Sequence, residues 1–246
     1  MTNLDSSIYK ANVLRWIGTI EFNYLAPTAI TMMLLRKQLK KTVKYVNGNV
    51  LDVGCGMKPY EQIFSPYADK YVGVDMVEGP KVDIVADISK GLPFQSGTYD
   101  TVICTEMLEH TPYPRESIRE ISRVVRTNGH IILSSPFTHK LHGEPYDYYR
   151  FSHHILEIIL QEAGLEPLEF HRVGTCIAVL GREIGDIMYA FGDVFRSKFL
   201  RILMRVIRIT IVTPIIWLFY ILDYVLSNFR FLKSNTLGFV VVAKKR

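Results

Sequence analysis

The sequence contains few cysteines, and the three that it has lie far apart. Cys55, Cys104 and Cys176 show none of the close spacings of a metal site, and an odd, scattered set does not form a disulfide framework. This cysteine usage is typical of a reducing compartment. The first ten residues also lack the basic and apolar segments of a secretory signal peptide, so the sequence predicts a cytoplasmic protein.

A long uninterrupted apolar run is missing as well. The most apolar segment, 198–226, has an uncharged stretch of fourteen residues, 209–222, which is short of the ~20 that a membrane-spanning helix needs. This stretch contains Pro214 and is closed by Asp223. The sequence therefore argues against a transmembrane segment.

Apolar and basic residues fall on different helical faces upstream of this stretch. The apolar positions are Phe195, Phe199, Ile202, Leu203 and Val206, and the basic positions are Arg201, Arg205 and Arg208. A cationic amphipathic helix of this kind lies in a membrane interface. We therefore expect a surface anchor, extended as a re-entrant helical hairpin; the alternative is a helical lid or a dimer face.

Charge is unevenly distributed along the chain. From position 196 onwards there are ten basic residues and a single acid, Asp223, whereas the rest of the chain is net acidic. A basic, apolar region attached to an acidic body indicates an anionic surface, such as a membrane, as a partner.

Short apolar runs of strand length alternate with helical periodicity through most of the chain. The strand-like runs are 49–54, 70–75, 82–87, 99–105, 129–135, 165–175 and 237–245, and the helical ones are 114–126, 152–164 and, more loosely, 9–46. Continuous Val, Ile and Leu runs indicate strands that are buried on both faces. Their alternation with helices predicts an α/β fold with a doubly wound parallel sheet.

The first strand runs into a glycine-containing turn, VLDVGCGMKPY (50–60). Gly54 and Gly56 permit a positive φ and let backbone N–H groups approach a ligand closely. No G-K-[S/T] follows, which excludes a P-loop, and Pro59 stands where a dinucleotide fingerprint needs its third glycine. Asp75 closes the second strand nineteen residues after Gly56, well placed to bind both hydroxyls of a ribose.

Five ordered segments resemble class I S-adenosylmethionine-dependent methyltransferases of the small-molecule type (methyltransferase type 11-like). They are VLDVGCG, YVGVD, VADI, YDTVICTEMLEH and GHIILSSP. The resemblance implies a Rossmann-like sheet of seven strands with the last one antiparallel, and S-adenosylmethionine as cofactor. One departure is Lys58, which stands where many members have a third glycine.

The same resemblance implies the cofactor contacts. The glycine turn lies under the methionine moiety, Asp75 binds the ribose, and Asp87 flanks the adenine. The expected cofactor-binding residues are Asp52, Gly54, Cys55, Gly56, Asp75, Met76, Asp87, Ile88, Cys104 and Thr105.

The fourth strand leads into EMLEH, in which Glu106, Glu109 and His110 fall at helical spacing on one face. Some ubiquinone-pathway O-methyltransferases that the chain resembles hold a divalent metal with such a set, whereas many relatives carry the same letters without a metal. A helix-start role for Glu106 is the plainer interpretation. We therefore predict no metal, with these three residues as the alternative ligand set.

The segment after the fifth strand, 135–152, is long and rich in titratable and aromatic side chains. Ligands of open α/β sheets bind beyond the carboxyl ends of the strands, so we expect the methyl acceptor here. His139 and His142 are the candidate general bases, and Asp147 is a candidate orienting carboxylate.

Four further residues of this segment are candidates for binding a polar acceptor: Tyr146, Tyr148, Tyr149 and Arg150. Two of these assignments have structural alternatives. Tyr148 and Tyr149, together with Phe151, fit a cap on the cofactor pocket or packing of the segment onto the sheet equally well. Arg150 fits an ion pair with Asp147 or Glu144.

The sequence predicts three regions. They are an N-terminal helical segment, 1–46, a cofactor-binding domain formed by 47–176 with 237–246, and an apolar, basic helical insertion, 177–236, between the sixth and seventh strands. The seventh strand must return to the sheet after the insertion. A single membrane pass would leave it on the wrong side.

These observations predict a methyltransferase that acts on an oxygen of a lipid-linked, glycan or other amphiphilic acceptor at an anionic membrane surface. One alternative is a soluble small-molecule or protein acceptor, with the insertion as a lid or dimer face. Another is a non-catalytic cofactor-binding scaffold. A nucleic-acid substrate is disfavoured because the sequence has no N-P-P-Y type motif. The sequence predicts no oligomeric state.

Overall fold

The computed structural model of the protein describes residues 28–193 and 197–246. Most of the helical segment expected before position 47 lies outside these residues, as does Phe195 of the predicted amphipathic face. The part that is described contains a helix that ends at Leu39 and a short 3₁₀ turn, Val43–Tyr45.

All seven predicted strands are present, and helices occupy the predicted helical runs 114–126 and 152–164. The strands are β1 (Asn49–Val53), β2 (Lys70–Asp75), β3 (Ile84–Val85), β4 (Tyr99–Thr105), β5 (Val125–Pro136), β6 (Leu165–Val173) and β7 (Gly238–Lys245). The helices of the described residues are α1 (Thr28–Leu39), α2 (Glu61–Phe64), α3 (Pro114–Val124), α4 (His153–Glu162), α5 (Cys176–Asp193), α6 (Lys198–Ile207) and α7 (Thr213–Leu226).

The seven strands form one sheet in the order β3-β2-β1-β4-β5-β7-β6. The pairs from β3 to β5 are parallel, and β7 is antiparallel. This is the Rossmann-like fold that the sequence predicts, with helices inserted between β6 and β7. Strand order reverses between β1 and β4, so ligands are expected beyond the carboxyl ends of these two strands.

The continuous apolar runs are buried on both faces of the sheet, as their composition predicts. Leu51 of β1, Val102 of β4 and Ile131 of β5 are completely buried. Helix α3 covers one face because Ile118 and Ile121 lie one turn apart on its apolar side and are also buried.

Two strands, β3 and β5, differ from their predicted lengths by four residues or more, and the other differences are smaller. Strand β3 has two residues instead of the predicted 82–87, because carboxylates of its flanking residues accept hydrogen bonds from backbone N–H groups. Asp83 accepts from Gly73, and Asp87 accepts from Ser89 to cap the next turn. Strand β5 starts at Val125, directly after α3, and reaches the predicted run through an irregularity in its pairing with β4.

The chain divides into two compact units, which are described separately. The first contains Gln38–His171 and Phe239–Arg246 and holds most of the sheet. The second contains the described residues 28–37 and Arg172–Gly238, and therefore α5, α6 and α7. The domain limits predicted from the sequence remain a proposal.

Helix α5 and the joined helices α6 and α7 form a helical hairpin in the second unit. A π-helical turn, Arg208–Val212, joins α6 to α7, so the helix continues through Pro214 without a break. A π turn changes the hydrogen-bond pattern of the backbone just before Pro214, which has no N–H to donate. Close packing of α5 on α7 requires Gly181, since a Cβ there would lie 2.4 Å from Cβ of Phe219.

The base of this hairpin is held by a buried carboxylate. Asp223 of α7 accepts hydrogen bonds from the backbone N–H (2.8 Å) and the hydroxyl (2.6 Å) of Thr175, the residue that precedes α5. The acid that closes the apolar run in the sequence therefore fastens the two helices together.

Candidate functional site

The turn after β1 is attached to the carboxyl end of β2 by backbone hydrogen bonds. The N–H groups of Gly54 and Cys55 donate to the carbonyl oxygen of Val74, at 2.9 and 3.1 Å. The N–H of Gly56 donates to Oδ2 of Asp75 at 3.0 Å. The two strand ends that the sequence assigns to cofactor binding are therefore directly connected.

Both carboxylate oxygens of Asp75 accept a backbone hydrogen bond. Oδ1 accepts from Val77 at 2.9 Å, while Oδ2 accepts from Gly56. Burial raises the pKa of Asp75, and these backbone N–H groups oppose the rise. A carboxylate has about four acceptor positions, so Asp75 keeps acceptor capacity for a ligand hydroxyl group.

The two glycines of the turn have different surroundings. Gly54 has φ +70°, and a Cβ on it would lie 2.3 Å from Cγ of Met107, which follows β4. Gly56 has φ +48°, and a Cβ on it would meet no atom within 4 Å. Gly54 therefore permits close packing of the two strand ends, whereas Gly56 borders open space that suits a ligand.

Lys58 adopts the left-handed conformation that a third glycine would favour, with φ 50°. Its side chain is buried, and its ammonium lies 2.6 Å from Oδ2 of Asp83. The same carboxylate oxygen accepts from the N–H of Gly73 at 2.7 Å. The departure from the family pattern is thus stabilised by an ion pair that the sequence does not predict.

Asp52 is buried inside β1 and accepts a hydrogen bond from the Tyr71 hydroxyl at 2.7 Å. Burial raises the pKa of Asp52 to about 7, although the Tyr71 hydroxyl and the nearby Lys58 ammonium both oppose the rise. Its predicted contact with the cofactor stays a prediction.

Asp87 begins the 3₁₀ turn Ile88–Lys90. Its Oδ1 accepts from the N–H (3.0 Å) and the hydroxyl (2.7 Å) of Ser89. Partial burial acts to raise the pKa of Asp87, but these bonds and the Lys90 ammonium outweigh it and hold the pKa below its usual value. An ionised carboxylate and the Ile88 backbone therefore lie beyond β3, where the resemblance implies the adenine. Met76, which is exposed just after β2, is also expected to contact the cofactor.

The cysteines of the predicted site are buried and unreactive. Burial raises the pKa of both the Cys55 and the Cys104 thiols, so neither supplies a thiolate at neutral pH. Cys104 and Thr105 end β4 beside β5, with Thr105 paired to Ser134. The contact of these two residues with the cofactor, which the resemblance implies, stays a prediction.

Glu106 does not share a helical face with Glu109 and His110, contrary to the sequence interpretation. It has φ 49° and lies before a single 3₁₀ turn, Leu108–His110. Its Oε1 accepts from the Ser134 hydroxyl at 2.8 Å, and its N–H donates back to the same side chain. The helix-start role is wrong as well, because the next α-helix begins at Pro114.

His142 of the segment after β5 joins Glu109 and His110 instead. Nε2 of each histidine lies 3.9 Å from Oε1 of Glu109, and the two imidazole rings are 4.7 Å apart. Burial, followed by the charge of Glu106, raises the pKa of Glu109 well above its usual value. Burial lowers the pKa of His110, and it lowers that of His142 to about 4.

Residues 137–152, here called the acceptor loop, are organised around Asp147 and Arg150. The Arg150 guanidinium makes a bidentate pair with Asp147, at 2.6 and 2.7 Å. It also donates to the carbonyl oxygens of His139, Lys140 and Tyr149. Most of its donors thus hold the loop itself, which is the structural alternative that the sequence leaves open; acceptor binding by Arg150 stays a prediction.

Asp147 is placed to orient His142. Its Oδ2 accepts from the His142 backbone N–H at 2.9 Å and lies 3.2 Å from Nδ1 of the ring. Burial acts to raise the pKa of Asp147, but hydrogen bonds from Arg150 and His142 outweigh it and keep the pKa far below its usual value. The carboxylate is therefore ionised. The His139 ring contacts the His142 ring in a tilted arrangement, with ring centres 4.3 Å apart and an angle of 41° between the planes.

The tyrosines of the acceptor loop have different environments. Tyr146 is half-buried, and its carbonyl oxygen is 2.7 Å from Nδ1 of His110. Tyr148 and Tyr149 are exposed, and Tyr149 stacks on the buried Phe151. Tyr149 and Phe151 also line a surface cavity of about 400 Å³ beside the loop.

A doubly wound sheet with a glycine turn after β1 and a carboxylate at the end of β2 defines an adenosine-type ligand site. Comparison with known proteins specifies the class. A family model, described as a methyltransferase domain, matches residues 31–169, more than half of the chain. The chain belongs to this family of S-adenosylmethionine-dependent enzymes.

Curated relatives with similar sequences are ubiquinone biosynthesis O-methyltransferases. The one from Vibrio campbellii is 30% identical over 120 residues, which is 43% of this chain and 51% of that protein. The one from Acinetobacter baylyi is 33% identical over 101 residues, or 35% and 42% of the two proteins. The chain thus spans about half the length of the curated relatives that it matches.

Solved structures share the fold at low sequence identity. A Burkholderia thailandensis 1,6-didemethyltoxoflavin-N1-methyltransferase superposes with a TM-score of 0.56 and 15% identity, over 98% of this chain and 86% of that one. A putative methyltransferase from Haloferax volcanii, in complex with its Trm112 activator, gives 0.55 and 14% identity over 96% of both chains. These similarities show the fold alone.

The described residues fit S-adenosylmethionine, the cofactor of the family. The open space at Gly56, the doubly anchored carboxylate of Asp75 and the ionised Asp87 follow one another along three neighbouring strand ends. Sequence reasoning missed the ion pair of Lys58 with Asp83 and the approach of His142 to Glu109. No spacing in the sequence signals either contact, because each joins segments that meet only in the folded chain.

Proposed function

We propose that this chain transfers a methyl group from S-adenosylmethionine to an oxygen of an amphiphilic, lipid-linked or glycan acceptor at the cytoplasmic surface of an anionic membrane. The observation that carries the proposal is the position of the acceptor loop. Its histidines lie against the segment after β4, and that segment packs on the glycine turn through Met107 and Gly54. The predicted acceptor and cofactor sites are therefore neighbours.

S-adenosylmethionine, when bound, supplies an electrophilic methyl group on a sulfonium. The chain holds it through the turn at Gly54 and Gly56 and through Asp75, and it aligns the acceptor. His139 is the proposed general base. Its Nδ1 lies 2.8 Å from the Lys140 carbonyl oxygen, which favours a proton on Nδ1 and a lone pair on Nε2.

His142 and Asp147 are proposed as positioning residues rather than the base. Nε2 of His142 is directed to Glu109, and its Nδ1 is directed to Asp147. The His142 ring, held in this way, contacts the His139 ring at 4.3 Å between ring centres and helps to position it. Tyr146, Tyr148 and Tyr149 remain the proposed acceptor-binding residues. The cavity beside Tyr149 has both apolar and charged lining, including Phe151 and Arg150, which suits an amphiphile.

The exposed apolar surface of the second unit supports membrane contact. Among the described residues one helix, Phe199–Leu226, is long and apolar enough to cross a membrane. Only 22% of its most apolar stretch of 18 residues is buried. Phe191 and Phe199, which flank the tip of the hairpin, are 59% and 73% exposed. Such a surface is unusually apolar for a protein that contacts only water.

Charges on the same hairpin favour an anionic interface. Arg201 and Arg205 are exposed on α6, one turn apart. Arg208, which the sequence groups with them, instead donates to the carbonyl oxygen of Tyr189 and lies over its ring. Two exposed arginines among apolar side chains are typical of a helix that lies in the headgroup region.

The fold argues against a single membrane pass. Strands β6 and β7 flank the hairpin in sequence and are neighbours in one sheet, so both must lie on the same side of a bilayer. A two-pass hairpin is costly because α5 carries Arg182, Glu183 and Asp186 within its span. Insertion of the hairpin into one leaflet satisfies both constraints.

Transfer of radiolabelled methyl groups tests the proposed reaction. The full chain is incubated with methyl-labelled S-adenosylmethionine and a bacterial lipid extract or an aqueous small-molecule extract. We expect label in the organic phase. His139→Gln should lower turnover by about 10²–10⁴-fold without changing cofactor affinity, whereas His154→Gln, at an exposed histidine, should not change turnover.

Other outcomes distinguish the alternative functions. Label found only in the aqueous fraction would indicate a soluble acceptor. Cofactor binding by calorimetry without label in either fraction would favour a non-catalytic scaffold, and equal turnover in the wild type and His139→Gln would remove His139 from the mechanism.

A further inference from the structure

Glu109, His110 and His142 bring three ligand-type atoms together at the carboxyl end of β4. One carboxylate oxygen and two imidazole nitrogens all lie within 4.8 Å of one another. Oε1 of Glu109 is 3.9 Å from Nε2 of each histidine. Ligands of a tetrahedral ion at roughly 2.0–2.2 Å stand roughly 3.3–3.6 Å apart. The two Glu109–histidine pairs therefore need to close by about half an ångström, and the widest pair by no more than about 1.5 Å, to place all three atoms on one ion.

The Glu109 carboxylate makes no side-chain hydrogen bond to a described residue, and its closest ion-pair partners among those residues are the two histidines, each at 3.9 Å. Its side chain is completely buried. A buried carboxyl group without a hydrogen-bond partner is costly and rare. Both oxygens are available to a cation at this position.

Both histidines are oriented as metal ligands commonly are. Nδ1 of His110 is 2.7 Å from the Tyr146 carbonyl oxygen. Nδ1 of His142 is 3.2 Å from both Asp147 Oδ2 and the Lys140 carbonyl oxygen. A proton on Nδ1 leaves the lone pair on Nε2, the atom that is directed to Glu109. Metal-binding histidines almost always donate their other N–H to a carbonyl or carboxylate in this way.

We propose that Glu109, His110 and His142 bind one divalent transition-metal ion of the zinc type. Two imidazoles and one carboxylate form the ligand set of open zinc sites. Imidazole nitrogens disfavour Mg²⁺, which prefers oxygen ligands. The set excludes Glu106, because Ser134 holds that side chain, and it includes a residue of the acceptor loop.

The ion would fasten the acceptor loop to the segment after β4. Glu109 and His110 belong to that segment, whereas His142 belongs to the loop. Loop and segment already touch at Gly143, where a Cβ would lie 3.0 Å from Cε1 of His110. Three protein ligands leave a coordination position open, which would face an acceptor oxygen; this last point alone depends on the proposed function.

Titration of the metal-stripped full chain with Zn²⁺ and Co²⁺, followed by calorimetry and by the visible spectrum of Co²⁺, tests the site. We expect one equivalent to bind, with a spectrum that shows nitrogen ligands. Excess Mg²⁺ should not compete. The ion should raise the melting temperature by mass action and should protect the exposed Lys140 in the acceptor loop from trypsin.

Three variants separate this site from others. Glu109→Gln and His142→Ala should each weaken binding by at least about 100-fold, and Asp147→Asn, which alters only the support of His142, by about 10–100-fold. His154→Ala should bind like the wild type. S-adenosylhomocysteine binding, measured by calorimetry, confirms that each variant is folded.

Two results would overturn the proposal. One is a wild-type chain that binds Co²⁺ no better than Glu109→Gln. The other is an affinity that all four variants share, which would place the ion on unrelated histidine or cysteine side chains. Neither result bears on methyl transfer, because cofactor binding and label transfer are measured separately.

Discussion

The ammonium of Lys58 lies 2.6 Å from a carboxylate oxygen of Asp83, across the turn that follows β1. Lys58 occupies a left-handed backbone position, and its side chain is 5% exposed, compared with 49% for Asp83. A non-glycine residue with positive φ is strained, and a buried ammonium needs a partner. The ion pair therefore compensates for the glycine that the turn lacks.

Asp83→Asn should destabilise the chain because it leaves the Lys58 ammonium buried without a countercharge. We expect a loss of about 1–2 kcal/mol in the free energy of unfolding, less than for a fully buried pair because Asp83 is half exposed. Urea unfolding measures the change. Asp69→Asn, at an exposed aspartate nearby in sequence, is the control and should change stability by less than about 0.5 kcal/mol. Equal effects of the two variants would contradict this account of Lys58.

Alanine at the two glycines of the turn should separate folding from cofactor binding. Gly54→Ala forces a Cβ to 2.3 Å from Met107 and should lower the free energy of unfolding by more than about 2 kcal/mol. Gly56→Ala meets no protein atom and should cost only the about 1 kcal/mol of its positive φ. Its Cβ would occupy the space assigned to the cofactor.

Unfolding curves and calorimetry with S-adenosylmethionine check this pair of glycine variants. Gly56→Ala should weaken cofactor binding by at least about tenfold, which corresponds to 1.4 kcal/mol, while remaining the more stable of the two. Unchanged cofactor affinity in Gly56→Ala would show that the open space beside Gly56 is not the cofactor site.

Asp52 should make stability depend on pH between about pH 4 and about pH 7. Its folded pKa is about 7, whereas an unfolded aspartate ionises near pH 3.9. Below about pH 4 both states are protonated, and the contribution of Asp52 to stability is fully present. As pH rises towards 7, the unfolded state releases the proton first, so the free energy of unfolding falls.

Asp52→Asn removes this ionisation. Urea unfolding at about pH 5 and about pH 8 should show a smaller loss of stability with rising pH in the variant than in the wild type. The side-chain amide oxygen of the asparagine can still accept the hydrogen bond of the Tyr71 hydroxyl, so this buried contact is preserved. An identical pH dependence in both proteins would mean that Asp52 is ionised throughout this range.

Arg201→Gln with Arg205→Gln should weaken binding to anionic vesicles. Each exposed arginine near a charged membrane contributes about 1 kcal/mol, so the double variant should partition about 30-fold more weakly. Binding to neutral vesicles should change little. Addition of salt should weaken the wild type more than the variant because it screens the same charges. Equal binding of both proteins to anionic vesicles would exclude an electrostatic contribution from α6.

The sequence predicts the sheet well because its central strands, β1, β4, β7 and the second half of β5, are continuous apolar runs buried on both faces. Its glycine turn is also local in the sequence. It fails where a side chain competes with the backbone or meets a distant segment. The Ser134 hydroxyl donates a hydrogen bond to the Glu106 carboxylate, and the segment EMLEH forms a 3₁₀ turn rather than an α-helix. The Arg208 guanidinium donates to the carbonyl oxygen of Tyr189 instead of facing solvent with Arg201 and Arg205. Such contacts depend on segments far apart in the chain.

The candidate site is predicted in part for the same reason. Asp75 and Gly56 can be predicted as cofactor-binding residues because they lie at the carboxyl ends of predicted strands. The cluster of Glu109, His110 and His142 does not, because the path of the acceptor loop decides which histidine approaches Glu109. The sequence treats the acids after β4 and the loop histidines as separate sites, and the fold joins them.

Co-sedimentation with anionic vesicles is the most direct test of the central claim that the chain works at a membrane surface. The wild type is compared with a Phe191→Ser and Phe199→Ser double variant of the hairpin tip, and with Tyr67→Ser, an exposed aromatic in the first unit. Calorimetry with S-adenosylmethionine shows that each protein is folded. We predict that the wild type and Tyr67→Ser sediment with the vesicles and that the tip variant stays in solution. If all three stay in solution while binding the cofactor, the hairpin is a lid or a dimer face and the membrane account is wrong.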